Sequence, residues 1–286
     1  MYDILTVKNL TKRYDSFTLD HVSFSVPKGS IVGLIGENGA GKSTTINAIL
    51  DLIKKNEGTV TFWGKELSSS VEMKENIGVV FDSMGFYETL TPKKVGRICK
   101  AAYTQWDDGL YNKYIERFQL SPEKRIKEMS KGMKMKLSIA AALSHRPKLL
   151  ILDEATSGLD PIVRDDILDI FLEFVQNEEH SILMSSHITT DLEKIADYIT
   201  FIHQGKVLFS KTKDELRNNY GIIRCGAANF EQIPKEEILA ARFEENQWSV
   251  LIPDKEKAKR RYRDIVVCDA TIDEIMLLYV KGESGK

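Results

Sequence analysis

The sequence predicts an α/β protein with a parallel sheet flanked by helices, antiparallel strands before it and a small α+β appendix after it. Three features carry the prediction. A glycine-rich loop, Gly36-Glu37-Asn38-Gly39-Ala40-Gly41-Lys42-Ser43, joins an apolar stretch from Ser30 to Ile35 to a helical one that begins Thr44-Thr45-Ile46. Short apolar runs from Leu149 to Leu152, Ser181 to Ser185 and Ile199 to His203 alternate with helical segments, as strands of a parallel sheet do. After about Leu216 the alternation stops, and short strand-like runs lead to a single capped helix.

Taken in order, Leu5 to Leu10 and Phe17 to Val26 alternate apolar and polar residues, which suits two antiparallel strands. Gly58 to Gly64 is a further strand bounded by glycines, and Ile77 to Phe81 is apolar enough for a buried one. From about Pro92 to Arg146 the pattern is helical, broken near Asp107-Asp108-Gly109 and Ser121-Pro122. Gln204-Gly205 before Lys206 to Phe209 predicts a hairpin that closes the large domain. In the appendix, Ile222 to Cys225, Trp248 to Ile252 and Ile265 to Cys268 are strand-like. Thr271-Ile272-Asp273-Glu274 is a capping box that opens the last helix. The expected domains are residues 1–216, with a helical insertion at about 84–146, and residues 217–286.

Composition narrows the function classes. The chain has 286 residues and a net charge of −2, so no overall positive field supports a nucleic-acid partner. The basic run from Lys255 to Arg263 suits a solvated helix face. Its three cysteines, Cys99, Cys225 and Cys268, form no metal or disulfide spacing, so reduced thiols are expected. The Met1-Tyr2-Asp3-Ile4-Leu5 start lacks the pattern of a signal peptide, and no apolar run approaches the ~20 residues needed to span a bilayer.

The loop from Gly36 to Ser43 is a complete G-x-x-x-x-G-K-S phosphate-binding sequence. Its glycines let the backbone wrap around phosphates, and its N–H groups and the following helix start supply positive potential. Lys42 is expected to reach the β- and γ-phosphates and Ser43 to hold Mg²⁺, with Thr44 continuing the contact surface. That loop alone fits kinases, GTPases, helicases and transporters. Leu149-Leu150-Ile151-Leu152-Asp153-Glu154 narrows the field. It is a buried strand ending in one carboxylate suited to Mg²⁺ and a second, Glu154, suited to polarising a water in line with the γ-phosphate.

Met129-Ser130-Lys131-Gly132-Met133, just upstream, offers a hydroxyl and a helix start to an anion. In this order the motifs resemble those of the ATP-binding cassette family over about residues 3–216. The resemblance implies a phosphate-loop NTPase core with an antiparallel β subdomain and a helical insertion. It also implies that Ser130 and Gly132 meet ATP bound to a second copy of the domain. Ser157-Gly158-Leu159-Asp160 matches the loop that crosses to that partner, and His187 matches the histidine that contacts the γ-phosphate. Tyr14 matches the aromatic residue that stacks on adenine. The sequence departs from the family pattern in three segments. Asp82 stands where a metal-ligating glutamine is usual, which leaves its contact with Mg²⁺ open. Ser-Lys-Gly-Met replaces Ser-Gly-Gly-Gln, and Gly158 replaces a common alanine.

These departures and the appendix resemble exporters of the bacitracin-resistance and peptide-export kind. The resemblance implies an ATPase subunit that dimerises, with itself or with a different ATPase, around two ATP molecules and their Mg²⁺. It would sit at the cytoplasmic face of the membrane through separate permease subunits. A soluble ATPase of the same type acting on ribosomes or DNA is the alternative, although the paired cassettes and the long insertions of such proteins are missing. A phosphate-loop kinase would not need the Ser130 loop. The appendix is either structural or a contact with another subunit or regulator.

Overall fold

The computed structural model describes residues 3–67, 71–83, 85–262 and 265–283. The chain forms two compact units, Met1–Phe209 and Ser210–Lys286.

The first unit begins with two long strands, β1 (Asp3–Arg13) and β2 (Thr18–Pro27), paired antiparallel. Their alternation buries Leu5, Val7, Leu10, Leu19, Val22 and Val26 on one face, where apolar area leaves water. β3 (Ile31–Ile35) is buried along its whole length and leads through the glycine-rich loop into α1 (Lys42–Ile49). β4 (Glu57–Phe62) completes a three-stranded antiparallel sheet in the order β2-β1-β4. After the short α2 (Val71–Glu75), β5 (Ile77–Phe81) enters the main sheet.

The helical insertion consists of α3 (Pro92–Ala102), α4 (Asp108–Arg117) and α5 (Lys131–Leu143). Asp107 caps α4 by accepting a hydrogen bond from the N–H of Leu110, which explains the break foreseen there. β6 (Leu149–Asp153), α6 (Pro161–Val175), β7 (Ser181–Ser186), α7 (Thr189–Ile195), β8 (Tyr198–His203) and β9 (Lys206–Thr212) follow. The main sheet runs β5-β6-β7-β3-β8-β9, and its first four neighbouring pairs are parallel. β3 and β6 both lie inside this order, separated only by β7. The loops after their carboxyl ends therefore open side by side, as ligand sites of parallel sheets do.

The second unit contains α8 (Lys213–Asn219), β10 (Gly221–Cys225), α9 (Ala227–Phe230), β11 (Ala240–Glu244), β12 (Gln247–Ile252), α10 (Lys255–Arg261), β13 (Val266–Asp269) and α11 (Ile272–Lys281). Its sheet is antiparallel in the order β11-β12-β10-β13. Ile223, Ile233, Val250 and Ile252 fill its core, and Trp248 stacks on Phe230 with ring centroids 3.9 Å apart. α10 takes up the basic run as far as Arg261, whereas Arg263 lies outside the described residues. Thr271 forms the foreseen capping box with Glu274.

Two features of this unit were not read from the sequence. β11 has a weak strand composition, and its pairing with β12 supplies the order that its residues lack. A second capping box, Thr212 with Glu215, opens α8, so residue 216 falls inside a helix. Thr-x-x-Glu at Thr212 was the available signal.

Candidate functional site

A cleft of about 560 Å³ lies where the β3–α1 loop, the loop after β6 and the end of β7 converge. Its walls include Asn38, Gly39, Gly41, Lys42, Ser43 and Thr44 from the first, Glu154 and Ser157 from the second, and His187 beyond the third. Gly41 has φ 112°, a left-handed conformation that L side chains avoid. A β-carbon there would also stand 2.9 Å from Phe17 Cζ, so the ring packs directly on the glycine.

Lys42 is 5% exposed, and its ammonium donates to the carbonyl oxygens of Gly36 at 2.8 Å and Glu37 at 3.2 Å. The loop thus bends back on its own lysine and aims a fixed cation at the cleft. Ala40 is buried behind the loop, while the Glu37 carboxylate faces His203 at 3.8 Å. Thr45 hydroxyl donates to the Gly41 carbonyl oxygen at 2.8 Å, which ties down the first turn of α1.

The buried end of β6 supplies the carboxylates. Asp153 Oδ1 accepts from Ser43 Oγ at 3.2 Å and from Ser185 Oγ at 2.6 Å. Ser185 also accepts from the Glu154 N–H at 3.0 Å, so one buried hydroxyl orients both acids. This serine was not singled out in the sequence, since a serine inside an apolar strand carries no spacing signal of its own. Glu154 itself has φ 53°, unusual for a residue with a side chain, and strain of this kind costs about 1–3 kcal/mol. Its side chain is fixed from two directions. Oε1 lies 3.1 Å from Lys42 Nζ, and Oε2 lies 2.6 Å from His187 Nδ1.

Ser43 and Asp153 form a donor set of hydroxyl and carboxylate oxygen. That chemistry fits Mg²⁺, which commonly takes one or two carboxylates and completes its shell with phosphate and water. Asp82 also lines the cleft, and its Oδ1 is 2.7 Å from Lys131 Nζ.

Other foreseen residues fall elsewhere. Ser130 caps α5 by accepting from the Met133 N–H at 3.2 Å, and Gly132 packs against Val163 in the first turn of that helix. Asp160 caps α6 by accepting from the Val163 N–H at 3.0 Å. None of the three belongs to the cleft wall among the described residues. Tyr14 is exposed beside Lys12, whose ammonium sits 5.0 Å from the ring centroid, and Phe17 is the aromatic residue at the cleft. Both flank one tight turn, closed by the Tyr14 N–H and the Phe17 carbonyl oxygen at 2.8 Å. Strand periodicity does not say which of the two rings faces α1.

Comparisons with known proteins identify the family. The family model described as ABC transporter matches residues 19–157. The bacitracin transport ATP-binding protein BcrA of Bacillus licheniformis is 35% identical over 76% of this chain and 72% of its own length. The lantibiotic transport ATP-binding protein SrtF of Streptococcus pyogenes is 34% identical over 82% of this chain and 98% of its own. A solved structure described as the ATP-binding subunit of an ABC transporter superposes with a TM-score of 0.66. It is 31% identical and covers 75% of this chain and 92% of its own. The chain belongs to the ATP-binding subunits of ABC transporters, which bind and hydrolyse ATP.

Proposed function

We propose that this ATPase subunit powers export through separate membrane subunits, with a peptide or other antimicrobial compound as cargo. In this account it works as one of a pair of ATPase subunits closed around two ATP molecules. The observation that carries the catalytic part is the position of Glu154, clamped between Lys42 and His187 at the cleft that Ser43, hydrogen-bonded to the buried Asp153, also lines.

Each residue has a role that follows from its chemistry. The N–H groups of Gly39 to Thr44 and the start of α1 cradle the phosphates, and Lys42 fixes the β- and γ-phosphate oxygens. Glu154 accepts hydrogen bonding from the attacking water, and His187 holds that carboxylate and reaches the γ-phosphate. Ser43, Asp153 and Asp82 would hold Mg²⁺, which would supply positive charge to the phosphate oxygens. Tyr14, with Phe17 beside it, serves adenine. Ser130, Gly132 and Asp160 complete the site of the other subunit, a role supported by their not lining the cleft of their own chain.

No helix among the described residues is long and apolar enough to cross a membrane. The account therefore places the chain at the inner face of the membrane through a permease. BcrA and SrtF are named for bacitracin and lantibiotic transport, which supports a peptide antibiotic as cargo here. Co-purification with a polytopic membrane protein, followed by ATPase assay of the reconstituted complex, tests this. A rise in turnover on adding a peptide antibiotic is expected. Stimulation by ribosomes or DNA, with no membrane partner recovered, would contradict it.

A further inference from the structure

Asp82, Lys131 and Gly158, three of the positions at which the sequence departs from the family pattern, lie on three different segments and meet at one point. Asp82 follows β5 and lines the nucleotide cleft; Lys131 is the first residue of α5; Gly158 lies in the loop after β6. Lys131 Nζ is 2.7 Å from Asp82 Oδ1, and a β-carbon on Gly158 would stand 3.2 Å from the same nitrogen. Each is awkward alone. A carboxylate at the cleft wall repels phosphates. A lysine in the first turn of a helix opposes the positive end of the helix dipole, and α5 has no acidic residue in that turn. Gly158 leaves open the space that the lysine crosses.

We propose that Lys131 is a positioning residue for the nucleotide site. Its ammonium neutralises Asp82 at the cleft wall and, lying across Gly158, fastens the start of α5 to the loops after β5 and β6. Asp82 supplies from the loop after β5 the negative charge that the first turn of α5 lacks. The lysine in turn removes the repulsion that Asp82 would present to ATP. This inference rests on the nucleotide reading of the cleft.

Affinity of the full chain for a fluorescent ATP analogue tests the pair, measured in EDTA so that any metal contact of Asp82 drops out, and again in excess Mg²⁺. Both partners are about half exposed, at 46% and 52%, so a modest coupling is expected. Lys131→Ala should weaken binding about three- to fivefold, and less as salt rises toward about 1 M. Lys131→Arg should bind as the wild type does, and adding Asp82→Asn to Lys131→Ala should restore most of the loss. Gly158→Ala should cost more with Lys131 present than with Lys131→Ala, because its backbone strain at φ +66° is common to both backgrounds and cancels. Additive effects of Lys131→Ala and Asp82→Asn, or an arginine variant as weak as the alanine one, would overturn the pair. A wild-type chain that fails to bind the analogue would instead overturn the nucleotide reading itself.

Discussion

The two units of this chain handle polar groups in opposite ways. Every buried Ser, Thr, His, Lys, Asp or Glu side chain among the described residues belongs to Met1–Phe209, including Lys42, Asp153, Ser185 and Asp191. The second unit buries apolar residues and leaves its charged side chains at least partly exposed, as in the pair of Arg224 with Glu274. Burying a charge is costly unless it is paired and hydrogen-bonded, so a fold retains such groups where chemistry requires them. Lys42 and Asp153 are both buried and both fully engaged with loop carbonyls, hydroxyls or a counter-charge. The second unit shows what a fold of the same chain looks like without that demand.

The sharpest way to break this contrast is Lys42→Ala. It removes the buried cation while Glu154 stays clamped to His187, and ATP affinity should fall by about 10²-fold or more. Equilibrium binding with a labelled nucleotide reads the loss, and a change under about threefold would separate the lysine from the phosphates. Ser130→Arg probes the same unit away from the cleft. Monomer affinity for ATP should hold, whereas ATP-dependent dimers in gel filtration should vanish as bulk and charge enter the closed interface. Loss of binding by the mutant monomer would place Ser130 in its own subunit's site.

Removal of residues 210–286 tests the other side of the contrast. Affinity for ATP should stay within about twofold, since every residue assigned to the nucleotide belongs to Met1–Phe209. The dimerisation constant or basal ATPase rate should change if the appendix contacts another subunit. A truncated chain that dimerises and turns over normally would leave it a structural role alone.

The smallest effect concerns His145, which is buried and stacked on Tyr103, with Nε2 3.2 Å from the Ile77 carbonyl oxygen. Burial lowers its pKa from the ordinary 6.5. Below pH 6.5 the unfolded chain takes up a proton that the folded chain refuses, so stability is full above that pH and declines as the pH falls toward the folded pKa. Thermal melts between pH 7.5 and about 5.5 should show the decline, and a volume-matched, uncharged His145→Gln should flatten it. An equal slope in both chains would assign the effect to other groups.

Much of this contrast was legible in the sequence, for a physical reason. The loop from Gly36 to Ser43 and the strand ending in Asp153-Glu154 impose their chemistry through local spacing, so residue order alone reveals them. What escaped depends on tertiary placement. Phe17 reaches the cleft because the β1–β2 turn rotates it onto Gly41. Ser185 orients two carboxylates only because β7 lies beside β6 in the sheet. Asp82 was expected at the metal, and the pairing of its carboxylate with Lys131 depends on where α5 begins. The second unit was legible in its strands and its Thr271 cap. Its first helix was missed, although the Thr212 capping box was present.

The central claim is that Glu154, clamped by Lys42 and His187, aligns the water that attacks ATP. Turnover and binding of the Glu154→Gln chain test it most directly. The account predicts that this chain binds ATP as the wild type does, hydrolyses it at least about 10²-fold more slowly, and accumulates as an ATP-bound dimer. Hydrolysis at the wild-type rate would contradict it.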